Sequence, residues 1–224
     1  MASALGYRAV QLDATHPDAR PRDLDRSARR DLAALLRRHE LELTGIDLWL
    51  PPEHLAEVVH VERAADAVVG AMGFIRELAG LVSTQPVVSL TLPEAPDQHA
   101  LAAIHAAAER EGVAIANHAW PASEEGALGL DPALAIMAGA SPAKLATTLG
   151  PRLSAARLSD AGVAGRVSVD APTGRLDVSA YAAALSISAP SAPVVADCRQ
   201  LADPRSAAID ALKAWTEALA FPGS

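Results

Sequence analysis

Cysteine is nearly absent from this chain. Cys198 is the only one among 224 residues, which excludes an internal disulfide framework and a cysteine-ligated zinc site. Aromatic residues are equally scarce, at three Trp, two Tyr and two Phe, so the core has to be built from Ala, Leu, Val and Ile. Side chains that small suit helices packed closely on a sheet better than a sandwich filled by rings. No uninterrupted apolar run reaches about 18 residues, so no membrane-spanning helix is expected. The segment from Met1 to Ala9 lacks the basic start and apolar stretch of a signal peptide, and the cytoplasm is the expected location. An excess of basic charge is missing too. Lys and Arg number 19 against 27 Asp and Glu, a formal net charge of −8, and phosphate binding needs the opposite balance, so nucleic acid is not an expected partner. The arginines from Arg20 to Arg38 alternate with Asp18, Asp23, Asp25 and Asp31, the pattern of a solvated helix face.

What is present is a regular alternation of short apolar runs with longer helical ones. Half of the residues are hydrophobic, and the length suits one domain over residues 1–224. Strands are expected at Tyr7–Leu12, Leu43–Leu50, Val87–Leu92, Val113–Ala119, Leu128–Leu130, Leu153–Ser159 and Val194–Asp197. Between them lie helical stripes. The first runs from Leu24 to Leu36 with Asp23 as N-cap, and the second from Leu55 to Ala79 with a stop at Gly80. Further helices are expected over Asp97–Glu111, after Asp131-Pro132, after Ser141-Pro142, from Asp177 to Leu185, and after Asp203-Pro204. The last places Ala208, Leu212, Trp215 and Leu219 on its buried side. Gly162 to Arg175 is expected to be a loop. Strands alternating with helices imply parallel pairing through right-handed crossovers. The competing topology is an open doubly wound sheet, and no Gly-rich phosphate loop follows any strand. Seven strands fall one short of a closed (β/α)8 barrel.

Parallel α/β folds collect their chemistry at the C-terminal ends of the strands. Those ends carry Gln11 and Asp13, Asp47, Glu94, Asn117 and His118, Asp131, Arg157 and Asp160, and Asp197 with Arg199. Asp131 before Pro132 also has the makings of a helix N-cap, and Asp47 and Asp160 can simply solvate turns. His118 stands apart because the other histidines fall in helices or polar loops. One imidazole and two carboxylates, His118, Asp131 and Asp197, would make a hard divalent site for Mn²⁺, Mg²⁺ or Co²⁺ if one mouth gathered them.

Several stretches resemble the sugar phosphate isomerase/epimerase family of xylose-isomerase-like TIM barrels. Leu5-Gly6-Tyr7-Arg8-Ala9-Val10-Gln11-Leu12 is similar to the end of that family's first helix and its second strand. Gly112-Val113-Ala114-Ile115-Ala116-Asn117-His118 resembles its fifth strand, and Leu130-Asp131-Pro132-Ala133-Leu134 with Met137-Ala138-Gly139 its sixth strand and following helix. Leu158-Ser159-Asp160 resembles the end of the seventh, and Gly174-Arg175-Leu176-Asp177-Val178-Ser179-Ala180-Tyr181 the lead into the next helix. The resemblance implies a barrel without its first strand, whose unpaired edge would invite a homodimer.

The resemblance also implies one divalent metal held by two glutamates, an aspartate and a histidine, with metal-assisted proton transfer on a small sugar or sugar phosphate. Carried over by position, the aspartate is Asp131, His118 stands for one glutamate, Asp197 for the other, Arg157 for the histidine, and Gln11 for a further second-strand glutamate. An arginine cannot ligate a cation. Two functions follow as expectations. In the first, the chain is an isomerase or epimerase in which His118 and Asp197 are catalytic and Arg157, Arg199 and Gln11 hold the substrate. In the second, it is a catalytically silent barrel for binding or assembly, with Arg157 replacing the metal as the positive centre. The placement of Arg157 relative to Asp131 and Asp197 discriminates between them.

Overall fold

The computed structural model describes residues 2–82, 84–122 and 128–220, and Met1 lies outside them. The chain divides into two compact units, Met1–Ala119 and Trp120–Ser224. In the first, β1 (Ala9–Asp13), β2 (Glu42–Asp47), β3 (Val87–Leu90) and β4 (Ala114–Asn117) lie parallel in that order. Helices α1 (Arg26–Arg38), α2 (Val61–Val82) and α3 (Gln98–Glu111) connect them. The β1–β2 register shifts between Val10 and Gln11. Near that irregularity Gly45 has φ +149°, and an added Cβ would fall 2.7 Å from the Val87 carbonyl oxygen, so only glycine lets β2 and β3 approach there.

The core of this unit follows from the period of α2. Ala64, Val68, Ala71, Met72, Ile75, Leu78 and Ala79 are all buried against Leu43, Ile46 and Val88 of the sheet. Helix α3 buries Ala100, Ile104, Ala107 and Ala108, small residues that permit close packing. It starts on Asp97, whose carboxylate accepts from the Ala100 N–H, and ends at left-handed Gly112.

In the second unit β5 (Leu128–Leu130), β6 (Leu153–Leu158) and β9 (Val194–Ala196) are parallel. Helices α4 (Pro132–Met137) and α5 (Pro142–Leu149) separate the first two, and α6 (Val178–Ser188) precedes β9. Helix α7 (Pro204–Ala220) closes the run. Asp131, Ser141 and Asp177 cap α4, α5 and α6, with Pro in the first turn of the first two. Tyr181, Leu128, Leu158 and Leu185 fill the core.

Four expectations need correction. Helix α1 starts on Asp25, whose carboxylate accepts from Ala28 N–H at 2.9 Å, whereas Asp23 ends a 3₁₀ turn and pairs with Arg20. Helix α2 begins at Val61 rather than Leu55, leaving Val58 exposed, and runs through Gly80 to Val82 because that glycine keeps helical backbone. The fully buried residues of α7 are Ala207, Ala211 and Ala218, one position round from the expected Ala208, Leu212 and Leu219; Leu219 is exposed, whereas Trp215 packs against the core as expected. The segment expected as loop contains an antiparallel hairpin, β7 (Asp160–Gly162) with β8 (Gly165–Val167). Among the described residues no helix is long and apolar enough to cross a membrane.

Candidate functional site

A largely buried cluster of charged side chains lies in the second unit, at the ends of β5, β6 and β9. Strand β5 delivers Asp131 into the first turn of α4, and its side chain is completely buried. Its Oδ1 accepts from the N–H groups of Ala133 at 3.1 Å and Leu134 at 3.5 Å, and from the Ser159 hydroxyl at 2.8 Å. Its Oδ2 accepts from Arg157 Nη1 at 3.0 Å and from Arg166 Nη2. Arg157 comes from β6 and Arg166 from β8, so the β7–β8 segment brings a second guanidinium onto the same oxygen.

Asp197 follows β9 directly. Its Oδ1 accepts from Arg199 Nε at 2.8 Å and its Oδ2 from Arg199 Nη2 at 2.9 Å, a two-point fork. Arg157 Nε lies 3.6 Å and Arg166 Nη1 3.7 Å from the same Oδ2. Three guanidiniums therefore enclose two carboxylates. Burial alone would raise the pKa of Asp131, but the charges of Arg166 and Arg157 overcome it and hold the carboxyl well below the usual carboxylate range. Burial likewise opposes ionisation of Asp197, and the hydrogen bond and charge of Arg199 outweigh it, so its pKa is lowered too. A general base works best with a pKa near the operating pH. Both carboxylates are pushed away from that range.

The framework behind the cluster is bonded and packed in turn. The Tyr181 hydroxyl donates to the Arg157 carbonyl at 3.1 Å, and the ring packs edge-on against Trp215 with centroids 6.4 Å apart. Burial, helped by the Asp131 charge, pushes the Tyr181 pKa well above its ordinary value. Asp160 serves the backbone instead of chemistry. Its Oδ1 accepts from the N–H groups of Ala161, Arg175 and Leu176, tying both ends of the hairpin segment together.

Of the residues singled out in the sequence, Asp131, Arg157, Asp197 and Arg199 are brought together. Gln11 and His118 belong to the first unit. Gln11 Nε2 donates to the Ser89 hydroxyl at 3.0 Å. His118 is buried, and its backbone N–H donates to the Leu90 carbonyl. Asn117 Oδ1 accepts from the N–H groups of Leu92 and Ala119, which shapes the turns after β3 and β4. Among the described residues, no three His, Cys, Asp or Glu are grouped so as to hold a metal ion. Arg166 and Ser159 complete the cluster and carried no expectation. The signal for Arg166 was the spacing Gly162-Val163-Ala164-Gly165, two glycines flanking a two-residue turn.

No family model and no curated protein matches the chain. Solved structures do. The chain is similar to a xylose isomerase domain protein from Planctomyces limnophilus, with TM-score 0.69 and 19% identity over 98% of this chain and 89% of that one. It is similar to the IolI protein, solved with a bound zinc atom, with TM-score 0.70 and 16% identity over 100% and 92%. A D-tagatose 3-epimerase-like protein gives TM-score 0.68 and 15% identity over 96% and 90%. At these identities the likeness carries the architecture. The chain has the α/β fold of the xylose-isomerase-like TIM barrels, built on seven parallel strands.

Proposed function

We propose that this chain is a metal-independent binding or assembly protein on the sugar isomerase/epimerase fold, its charge centre made of guanidinium groups in place of a divalent cation. The observation that carries this reading is the double engagement of Asp131 Oδ2 by Arg157 and Arg166. A divalent ion needs open carboxylate lone pairs at about 2.0–2.6 Å. Both oxygens of Asp131 already accept from N–H or O–H donors, and those of Asp197 face Arg199, Arg157 and Arg166. Three fixed positive charges would also repel an incoming cation. The residues present do not fit the metal.

The second reading, metal-assisted isomerisation of a small sugar or sugar phosphate, is favoured by the architecture shared with IolI and the epimerase-like protein. It would ask His118, Asp131 and Asp197 to ligate the cation. Calorimetric titration of Mn²⁺, Mg²⁺, Co²⁺ and Zn²⁺ separates the two. No stoichiometric binding is expected. One equivalent bound tightly, and lost in His118→Ala, would sink the metal-independent reading and justify a screen of ketoses and their phosphates.

A further inference from the structure

The first unit holds a cavity of about 570 Å³, well within the ~300–1,000 Å³ of small-molecule sites. Ala14 and Thr15, just past β1, and Leu48 and Leu50, just past β2, form one side. The other side is α2, through Ala64, Ala67 and Gly70, with the 3₁₀ turn at Pro21 closing the rim. The space thus lies against the helix layer, and no residue of the Asp131 cluster lines it.

Its walls divide by chemistry. Leu48 and Ala64 are buried, and Leu50 and Ala67 half-buried, which gives an apolar floor. Around it stand Arg20, Arg22 and Arg63 with the imidazoles of His54 and His60, against one carboxylate, Asp66. That local excess of positive charge occurs in a chain whose net charge is −8. Asp23 takes up part of it, at 3.2 Å from Arg20 and 3.7 Å from Arg22. Arg20 is also aimed, because its Nη2 donates to the Thr15 carbonyl at 3.1 Å. Arg63 makes no ion pair among the described residues, which leaves its guanidinium available to a ligand. The rings of His54 and His60 lie tilted at 38° to each other with centroids 4.4 Å apart, and Glu57 is 3.7 Å from His60.

We propose that this cavity binds a small organic anion, its phosphate or carboxylate held by Arg63 and Arg20 and its compact apolar body resting on Leu48, Leu50 and Ala67. A guanidinium recognises either head group by the same two-point geometry, and the apolar floor selects against bare inorganic ions. The inference stands independently of the charge centre in the second unit.

Phenyl phosphate and benzoate, titrated by calorimetry with the His54 and His60 ring signals followed by NMR, test it. Saturable one-to-one binding is expected, weakened by added salt and by about tenfold or more in Arg63→Ala. Ala67→Leu, which fills the floor from α2, is expected to abolish it, with thermal melts confirming that both variants fold. The tighter of the two probes identifies the head group. The proposal is overturned if neither probe saturates at millimolar concentration, or if benzyl alcohol binds as well as they do. Inorganic phosphate binding as tightly as phenyl phosphate would also overturn it, as would affinity unchanged in both variants.

Discussion

The two units treat polar residues at their strand ends in opposite ways. In the first, Gln11 of β1 donates to Ser89 of β3, Asn117 caps two turns, and Asp13 accepts from the N–H and hydroxyl of Thr15 two residues on. Arg63, which makes no ion pair among the described residues, stands at a cavity formed between the segments just past β1 and β2 and helix α2. In the second, Asp131, Arg157, Arg166, Asp197 and Arg199 gather at the strand ends and engage one another. Charge density at a strand end is therefore a poor guide to chemistry by itself. What decides is whether the lone pairs and N–H groups still point at open space. The denser cluster is the more closed, and the sparser one keeps a guanidinium available.

That contrast can be broken by mutation. The largest effect is expected for Asp131→Ala, which strips α4 of its cap and removes the carboxylate that Arg166 and the buried Arg157 both donate to. About 3–5 kcal/mol of stability should be lost, read as a fall in the urea midpoint. Gln11→Ala, the corresponding change in the first unit, should cost only about 1 kcal/mol. Equal losses would erase the distinction between the units.

Acid should act on the second unit first. Asp131 and Asp197 have lower pKa values folded than unfolded. Their contribution is therefore present above about pH 4, the ordinary carboxylate value, and is lost as pH falls from there toward the folded values. Urea midpoints measured from pH 6 to pH 2 should drop steeply below pH 4, and Asp131→Asn should flatten that slope. An unchanged slope would mean that the carboxylate gains nothing from its guanidiniums.

The smallest effect expected is a gain. An added methyl at Gly80, in α2 of the first unit, meets nothing within 4 Å. Gly80→Ala should therefore stabilise by about 0.5–1 kcal/mol through a less mobile unfolded chain. Gly174 in the second unit is the counterpart, because a methyl there would fall 2.2 Å from Asp160 Oδ2. Thermal melts of the two alanine variants should move in opposite directions.

These differences also explain what the sequence could disclose. The starts of α3, α4, α5 and α6 were legible at Asp97, Asp131, Ser141 and Asp177 because a cap is local, one side chain and an N–H two or three residues on. Asp23 misled because two aspartates stand two residues apart and only backbone direction separates cap from turn. The gathering of Asp131, Arg157, Asp197 and Arg199 was legible from strand ends alone, since parallel strands point one way. Arg166 was not. It reaches Asp131 from 35 residues away; the glycine-flanked turn marks a hairpin but not which distant carboxylate its second strand meets. The rotated face of α7 was hidden for a related reason. Alanines take its buried positions, and small residues leave a weak periodic signal beside the leucines and tryptophan next to them.

The Asp160 clasp changes how that hairpin segment should be understood. By accepting from Ala161, Arg175 and Leu176, one carboxylate turns residues 160–176 into a ring closed at its base. The entropy of closing such a ring rises only with the logarithm of its length, about 0.6 kcal/mol for each doubling. The tip, where Val163 is fully exposed, can therefore vary in length and composition at small energetic cost. The side of the ring that carries Arg166 stays pinned, and the segment can diversify at its far end while its near end keeps Asp131 covered.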